Sequence, residues 1–198
     1  MSSKVSRRHA LRSIAASVTL GGLPIEAAQH VHQEAAEQKK KAAGIYKPRL
    51  FNAHEYKTIA RLSELIIPAD DLSGSALEAG APEFIDLIAS HNNELATILL
   101  GGLAWLDRRM ERTHRKSFVA CTAEQQLAML DVIAYRKNAD ANTAAGVRFF
   151  DWMRRLTADA FYTSPIGIKD VGYVGNKGMA VFQVPAAAID YAVKKSGL

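Results

Sequence analysis

An all-α fold, a small irregular bundle of about five helices, is the architecture this 198-residue sequence predicts. Three observations carry that reading. Apolar residues recur at spacings of three and four, as in Ile59, Leu62, Leu65 and Ile66. Helix-start signatures stand before two such runs, Asn52 with Glu55 and Thr122 with Gln125, the pattern in which two side chains cap each other's backbone N–H. No segment alternates apolar and polar residues as a half-buried strand would.

The first element lies outside that bundle. Residues 1–28 read as an export signal: a basic stretch ends in Ser6-Arg7-Arg8-His9-Ala10-Leu11-Arg12, and an apolar run from Ile14 to Leu23 follows. Ten residues rise roughly 15 Å as a helix, about half of a bilayer core, so the run is too short to span. The paired Arg7 and Arg8 with Leu11 resemble the twin-arginine signal, with Ala10 where an aromatic residue is usual. Ile25-Glu26-Ala27-Ala28 is the nearest small-residue stretch, and cleavage after Ala27 or Ala28 and retention as an anchor are both open. The expected location is the periplasm, with membrane association if the segment is retained. The twin-arginine route carries folded cargo, so a chain that uses it without a cofactor site of its own points to a cofactor-bearing partner.

Residues 29–50 are polar and charged and read as a linker with some helical character, broken at Gly44 and Pro48. Residues 51–198 read as one helical domain. Its first helix covers about Ala53 to Ile67 and stops at Pro68, before a loop whose Asp70 and Asp71 suit turn and cap roles; the spacing is not that of a calcium loop. Pro82 opens a second helix that runs to about Leu100, where Gly101-Gly102 is expected to interrupt it. A third helix turns Leu103, Leu106 and Met110 inward and Asp107, Arg108, Arg109, Glu111 and Arg112 outward. That arginine-rich run reads as a solvated face in preference to an anion site, with Trp105 as either a core residue or a partner anchor. Thr122 starts a fourth, and about Ala144 to Tyr162 forms a fifth, rich in aromatic bulk. Past Tyr162 the chain becomes a glycine-rich aromatic loop, and Pro185 to Leu198 reads as an Ala-rich helical tail that packs on the rest.

Composition excludes more than it names. At 48% hydrophobic and 23% charged the chain has material for a core and is no disordered or collagen-like sequence. The net charge of +5 gives no support to nucleic-acid binding, because residues 1–28 hold four basic side chains against Glu26. The remaining residues carry 21 basic and 19 acidic groups, net +2. A single cysteine, Cys121, excludes CxxC zinc sites and haem attachment. It is either a small buried apolar residue or, in an oxidising compartment, half of a disulfide to another subunit. His54-Glu55 lacks the second histidine of a zinc-protease helix, since Thr58 stands four residues on. Glu111 and His114 form one E-x-x-H pair where a di-iron bundle needs two. His30 and His32 have no third ligand nearby. The residues thus assign no catalytic, cofactor or metal site to this chain.

The segments EYKTIARLSELIIPADD, GAPEFIDLI and FFDWMRRLTADAFYTSPIGIKDVGYVGN, over most of residues 51–180, resemble the gluconate 2-dehydrogenase subunit 3 family. The resemblance implies a helical small subunit without catalytic residues. Its partner would be a large FAD-dependent dehydrogenase of the glucose–methanol–choline type, acting on a sugar, sugar acid or glycoside. FAD would sit on that large subunit, and a multihaem cytochrome c would often receive the electrons. The small subunit would supply the export signal and stabilise the complex. The family pattern includes Pro68, Ala69 and Asp70, then Tyr162, Ser164, Gly172, Tyr173, Gly175 and Asn176. On this reading the partner surface includes Trp152, Phe161, Tyr162, Tyr173, Gly175 and Asn176. The alternative is a stand-alone exported helical enzyme or ligand-binding protein; a cytoplasmic helical regulator with a signal-like N-terminus is a third reading.

Overall fold

The computed structural model describes residues 25–173 and 184–196. Among these, eight α-helices and no strand are present, so the fold is all-α with more helices than the sequence pattern predicts. They are α1 (Ile25–Lys41), α2 (Ala53–Ile66), α3 (Ala81–Ala89), α4 (Asn93–His114), α5 (Ala123–Ile133), α6 (Ala144–Tyr162), α7 (Pro165–Asp170) and α8 (Ala186–Ser196).

α3 is the centre. All nine of its residues are buried, the arrangement expected of a helix apolar on most of its circumference. It carries Phe84, Ile85, Leu87 and Ile88 into the core, and α1, α2, α4 and α6 pack around it. Burial also takes in Asp86, whose carboxylate must therefore be fully hydrogen-bonded. Its Oδ2 accepts from the Tyr46 hydroxyl (2.9 Å) and the Arg49 N–H (2.8 Å). Its Oδ1 accepts from the Leu50 and Phe51 N–H groups at 3.0 and 3.2 Å.

The last residues of the expected export signal, 25–28, and the first part of the expected polar linker, 29–41, together form α1, a 17-residue helix. Ala28, Val31 and Ala35 make its buried stripe at spacings of three and four. That face is narrow and mostly alanine, so hydropathy patterning misses it. Polar contacts complete the docking. His32 lies against Phe84 with ring centroids 4.9 Å apart, Lys39 pairs with Glu83, and Arg49 Nη2 meets Glu34 Oε1 at 3.2 Å.

The capping boxes at Asn52/Glu55 and Thr122/Gln125 are both present. The second predicted helix is different. Its chain breaks at Ser90–Asn92, where Asn92 caps α4, and Gly101-Gly102 lies inside one 22-residue helix. The reason is the crossing of α4 and α6, the longest helix pair. A Cβ on Gly102 would lie 2.1 Å from the Phe149 ring, and one on Gly146 would lie 2.3 Å from Trp105. Each helix thus offers a bare patch of backbone to an aromatic ring of the other. Gly101, one residue away, faces open space.

α6 covers Ala144–Tyr162, as the sequence predicts. Beyond it the expected loop contains α7, capped by Ser164, whose buried hydroxyl donates to Phe161 O (2.7 Å) and accepts from Gly167 N–H (3.1 Å). α8 is helical as predicted but does not pack: none of its described residues is buried.

The two adjacent glycines predict opposite outcomes. Gly101→Ala removes a helix-interior glycine without contact and raises stability by about 0.5–1 kcal/mol. Gly102→Ala drives a methyl into Phe149 and costs about 1–3 kcal/mol. Urea unfolding of both variants checks this, and equal effects would contradict the close approach of α4 and α6.

Candidate partner-binding surface

The expected interface residues divide sharply by burial. Trp152 is partly exposed on α6, with the Arg155 guanidinium 5.2 Å from its ring centroid. Tyr162 and Tyr173 are 48% and 50% exposed, and Val171 between them is 57% exposed. Tyr162, Val171 and Tyr173 form an apolar, aromatic edge around the end of α6 and α7, whereas Trp152 lies near the middle of α6. Phe161 does not belong to it. At 2% exposure it is part of this chain's own core, its ring edge-on to Tyr162 with centroids 5.1 Å apart. The sequence could not separate these neighbours, because both lie on a helix whose apolar residues exceed one stripe. Gly175, Asn176, Arg7, Arg8 and Leu11 lie outside the described residues. α8 adds exposed Ile189, Tyr191 and Val193.

Cys121 is a free thiol, buried beside the turn that precedes α5, with Sγ 3.9 Å from the Lys116 carbonyl. It packs in the core cluster as a small apolar side chain. A bond to another subunit would require this turn to open.

Other residue groups with catalytic overtones have structural duties. His54 Nε2 lies 2.6 Å from Asp107 Oδ2, and Asp107 Oδ1 accepts from the Phe118 N–H at 2.8 Å. That pair ties the first turn of α2 to α4 and to the 118–120 turn. Asp70 closes its own loop by accepting from the Leu72 and Ser73 N–H groups, both at 2.8 Å. Among the described residues no three His, Cys, Asp or Glu side chains are placed to hold a metal ion. No helix among them is long and apolar enough to cross a membrane.

A second surface feature, invisible to patterning, lies where α1 meets α3. A cavity of about 370 Å³ is lined by His32, Lys39, Gly80, Glu83 and Pro165 among others. Glu83 is nearly buried here. Its charge, second to burial itself, helps to push the Tyr56 phenol above its ordinary pKa. Burial and then the Asp86 charge do the same to Tyr46. Burial holds the His32 imidazole below its ordinary value of 6.5, against opposing contributions from a backbone hydrogen bond at Ala160 and from Glu83. His32 Nε2 lies 3.2 Å from the Thr163 hydroxyl, which joins α1 to the end of α6.

With this geometry in place, the comparisons with known proteins are decisive for lineage. The family model described as gluconate 2-dehydrogenase subunit 3 matches residues 53–180. The chain belongs to that family. No curated protein and no solved structure gives a significant match. Membership in the subunit 3 family implies a multi-subunit dehydrogenase with a larger catalytic subunit. The matched residues run from α2 to beyond the exposed Tyr162–Tyr173 edge and leave α1 outside. Pro68, Ala69, Asp70 and Ser164, expected as family-pattern residues, form the turns after α2 and α6. Gly172 takes φ of +63° in the turn before Tyr173, a conformation that favours glycine.

His32 predicts an acid sensitivity. A depressed folded-state pKa means that the unfolded chain binds the proton more tightly. The stabilising contribution is therefore complete above pH 6.5 and declines as pH falls toward the folded-state value. His32→Gln, neutral at every pH, should show a smaller drop in melting temperature than wild type between about pH 7.5 and 5. Equal drops would relieve His32 of that role.

Proposed function

We propose that this chain is the non-catalytic small subunit of a periplasmic FAD-dependent dehydrogenase of the glucose–methanol–choline type, which oxidises a sugar, sugar acid or glycoside. It escorts the large flavoprotein through the twin-arginine route and stabilises it afterwards. FAD belongs to the large subunit, and a cytochrome c subunit accepts the electrons. The observation that carries this reading is the family match across residues 53–180, from α2 through α7. Two features support it: Arg7, Arg8 and Leu11 ahead of a short apolar run, and the exposed Tyr162 and Tyr173 at one edge, with the partly exposed Trp152 further back on α6. Exposed aromatic side chains on a rigid helical frame are the usual anchors of a protein interface.

The structure of α1 bears on processing. Ala28 is wholly buried inside a helix that begins by Ile25, so a cut after Ala27 or Ala28 would sever a docked helix. A cargo that folds before export presents that site closed. The exported chain is therefore expected to keep its N-terminus through Ile25, and N-terminal mass spectrometry that found Ala28 or Gln29 first would refute this.

The alternative, a stand-alone exported enzyme or ligand-binding protein, draws on the cavity beside His32, Lys39 and Glu83. Purification of the tagged chain from its host, with mass spectrometry and a visible spectrum, separates the readings. A co-purifying large flavoprotein with sugar-dependent dye reduction is expected; a colourless solitary protein would favour the alternative. Tyr162→Ala with Tyr173→Ala should reduce co-purification, and full recovery would clear that edge of an interface role. Arg7→Lys with Arg8→Lys should strand both subunits in the cytoplasm, and continued export of the flavoprotein would end the escort reading.

A further inference from the structure

α4 carries a second surface of different chemistry. Gly101, Ala104, Trp105, Arg108, Arg109 and Arg112 recur at spacings of three and four, a single stripe along the helix. With Asn142 and Ala145 from the start of α6 they line an open groove of about 440 Å³. The small residues make the space at one end, and the guanidinium groups line the other.

Trp105 is held within this groove. Its Nε1 donates to the Asn142 carbonyl at 3.1 Å, and its ring rests where Gly146 has no side chain. The arginines are less well matched. Arg49, Arg61, Arg136, Arg148 and Arg154 each sit against a carboxylate. Among the described residues, no carboxylate pairs with Arg108 or Arg112. The acidic groups nearby are otherwise engaged or turned out. Asp107 is taken by His54 and the Phe118 N–H. Asp140, close enough to feel the Arg109 charge, is bound by the Thr143 hydroxyl and the Asn142 and Thr143 N–H groups. Glu111, on the same helix, is exposed and lines no part of the groove.

We infer that this groove docks a carboxylate-bearing segment of the large partner subunit, an inference that rests on the small-subunit reading. Charge complementarity selects the occupant. Arg108 and Arg112 are one helical turn apart, a rise of about 6 Å. Carboxylates four apart on a partner helix, or on alternate residues of an extended segment about 6.6 Å apart, match that interval. Arginine forks bind carboxylates in a bidentate manner, and a fixed tryptophan beside them supplies the apolar contact that pairs with such hydrogen bonds. The surface is thus separate in kind from the aromatic edge at Tyr162 and Tyr173.

The test is co-expression of the full chain with the flavoprotein, followed by affinity capture across increasing NaCl. Wild-type recovery should fall steeply with salt, and Arg108→Glu with Arg112→Glu should weaken binding about tenfold or more at low salt. The double lysine variant, which keeps the charge, should retain partial binding, and an unchanged melting temperature in both shows that they fold. Lys40→Glu with Lys41→Glu makes the same charge change on α1 and should have little effect. An equal loss there would assign the effect to net charge and overturn the groove. Salt-insensitive capture, or undiminished capture by the double Glu variant, would overturn it as well while leaving the small-subunit reading intact. A wild-type chain that recovers no flavoprotein would instead overturn that reading and the groove assignment with it.

Discussion

The fold depends on the burial of two carboxylates on its central helix. α3 is enclosed on every side, yet it carries Glu83 and Asp86. An ionised carboxylate in such a place is costly unless an opposite charge or hydrogen-bond donors meet it. Asp86 receives four, all from residues 46–51, and this clamps the segment between α1 and α2 onto the core. Glu83 Oε1 receives Lys39 from α1 itself, while its buried Oε2 has no hydrogen-bond partner among the described residues. The position of α1 is therefore dictated as much by the electrostatics of α3 as by its own Ala28, Val31 and Ala35 stripe. A helix that falls outside the family match is bound to the matched body through the charges of that body.

That constraint also explains where the sequence was readable. The starts of α2 and α5 were legible, because a capping box is a local chemical arrangement with a fixed three-residue interval. α6 was legible through its aromatic density and its stop before Ser164 and Pro165. α1 was not, since its buried face is built of small residues and its docking relies on partners distant in sequence. The Gly101-Gly102 pair was misread for a related reason. Glycine lowers helix propensity whatever its surroundings, but only the position of Phe149 on another helix reveals why Gly102 is there. Tertiary contact overrides local propensity at such a point.

The candidate surface was legible to a similar depth. Tyr162 and Tyr173 could be named from their setting after a long aromatic helix, yet Phe161 stood beside them with the same credentials and went into the core. Adjacent helical residues point about 100° apart, so one faces inward when the next faces out. Arg108 and Arg112 were visible as a basic run on the outer face of α4. Only the fold shows that their neighbours Asp107 and Asp140 are occupied elsewhere, which turns an ordinary charged face into one with unmatched charge.

Polar side chains in this fold divide between internal bracing and the surface. Several polar side chains of this bundle serve its architecture: His54 and Asp107 brace α2 to α4, and Gln126 bridges Arg61 and the Phe118 carbonyl. Three further features with unmet chemistry lie at the surface. The Tyr162–Tyr173 edge exposes aromatic area that water solvates poorly. α8 has eleven residues and no buried side chain to support it, a length at which isolated helices are marginal in water. In the α4 groove Arg108 and Arg112 have no paired carboxylate among the described residues. Each of these deficits is of a different type, and a partner that covered all three would gain apolar burial, helix stabilisation and charge pairing together. Such a combination favours a lasting complex over a passing encounter, in keeping with a family of dehydrogenase subunits.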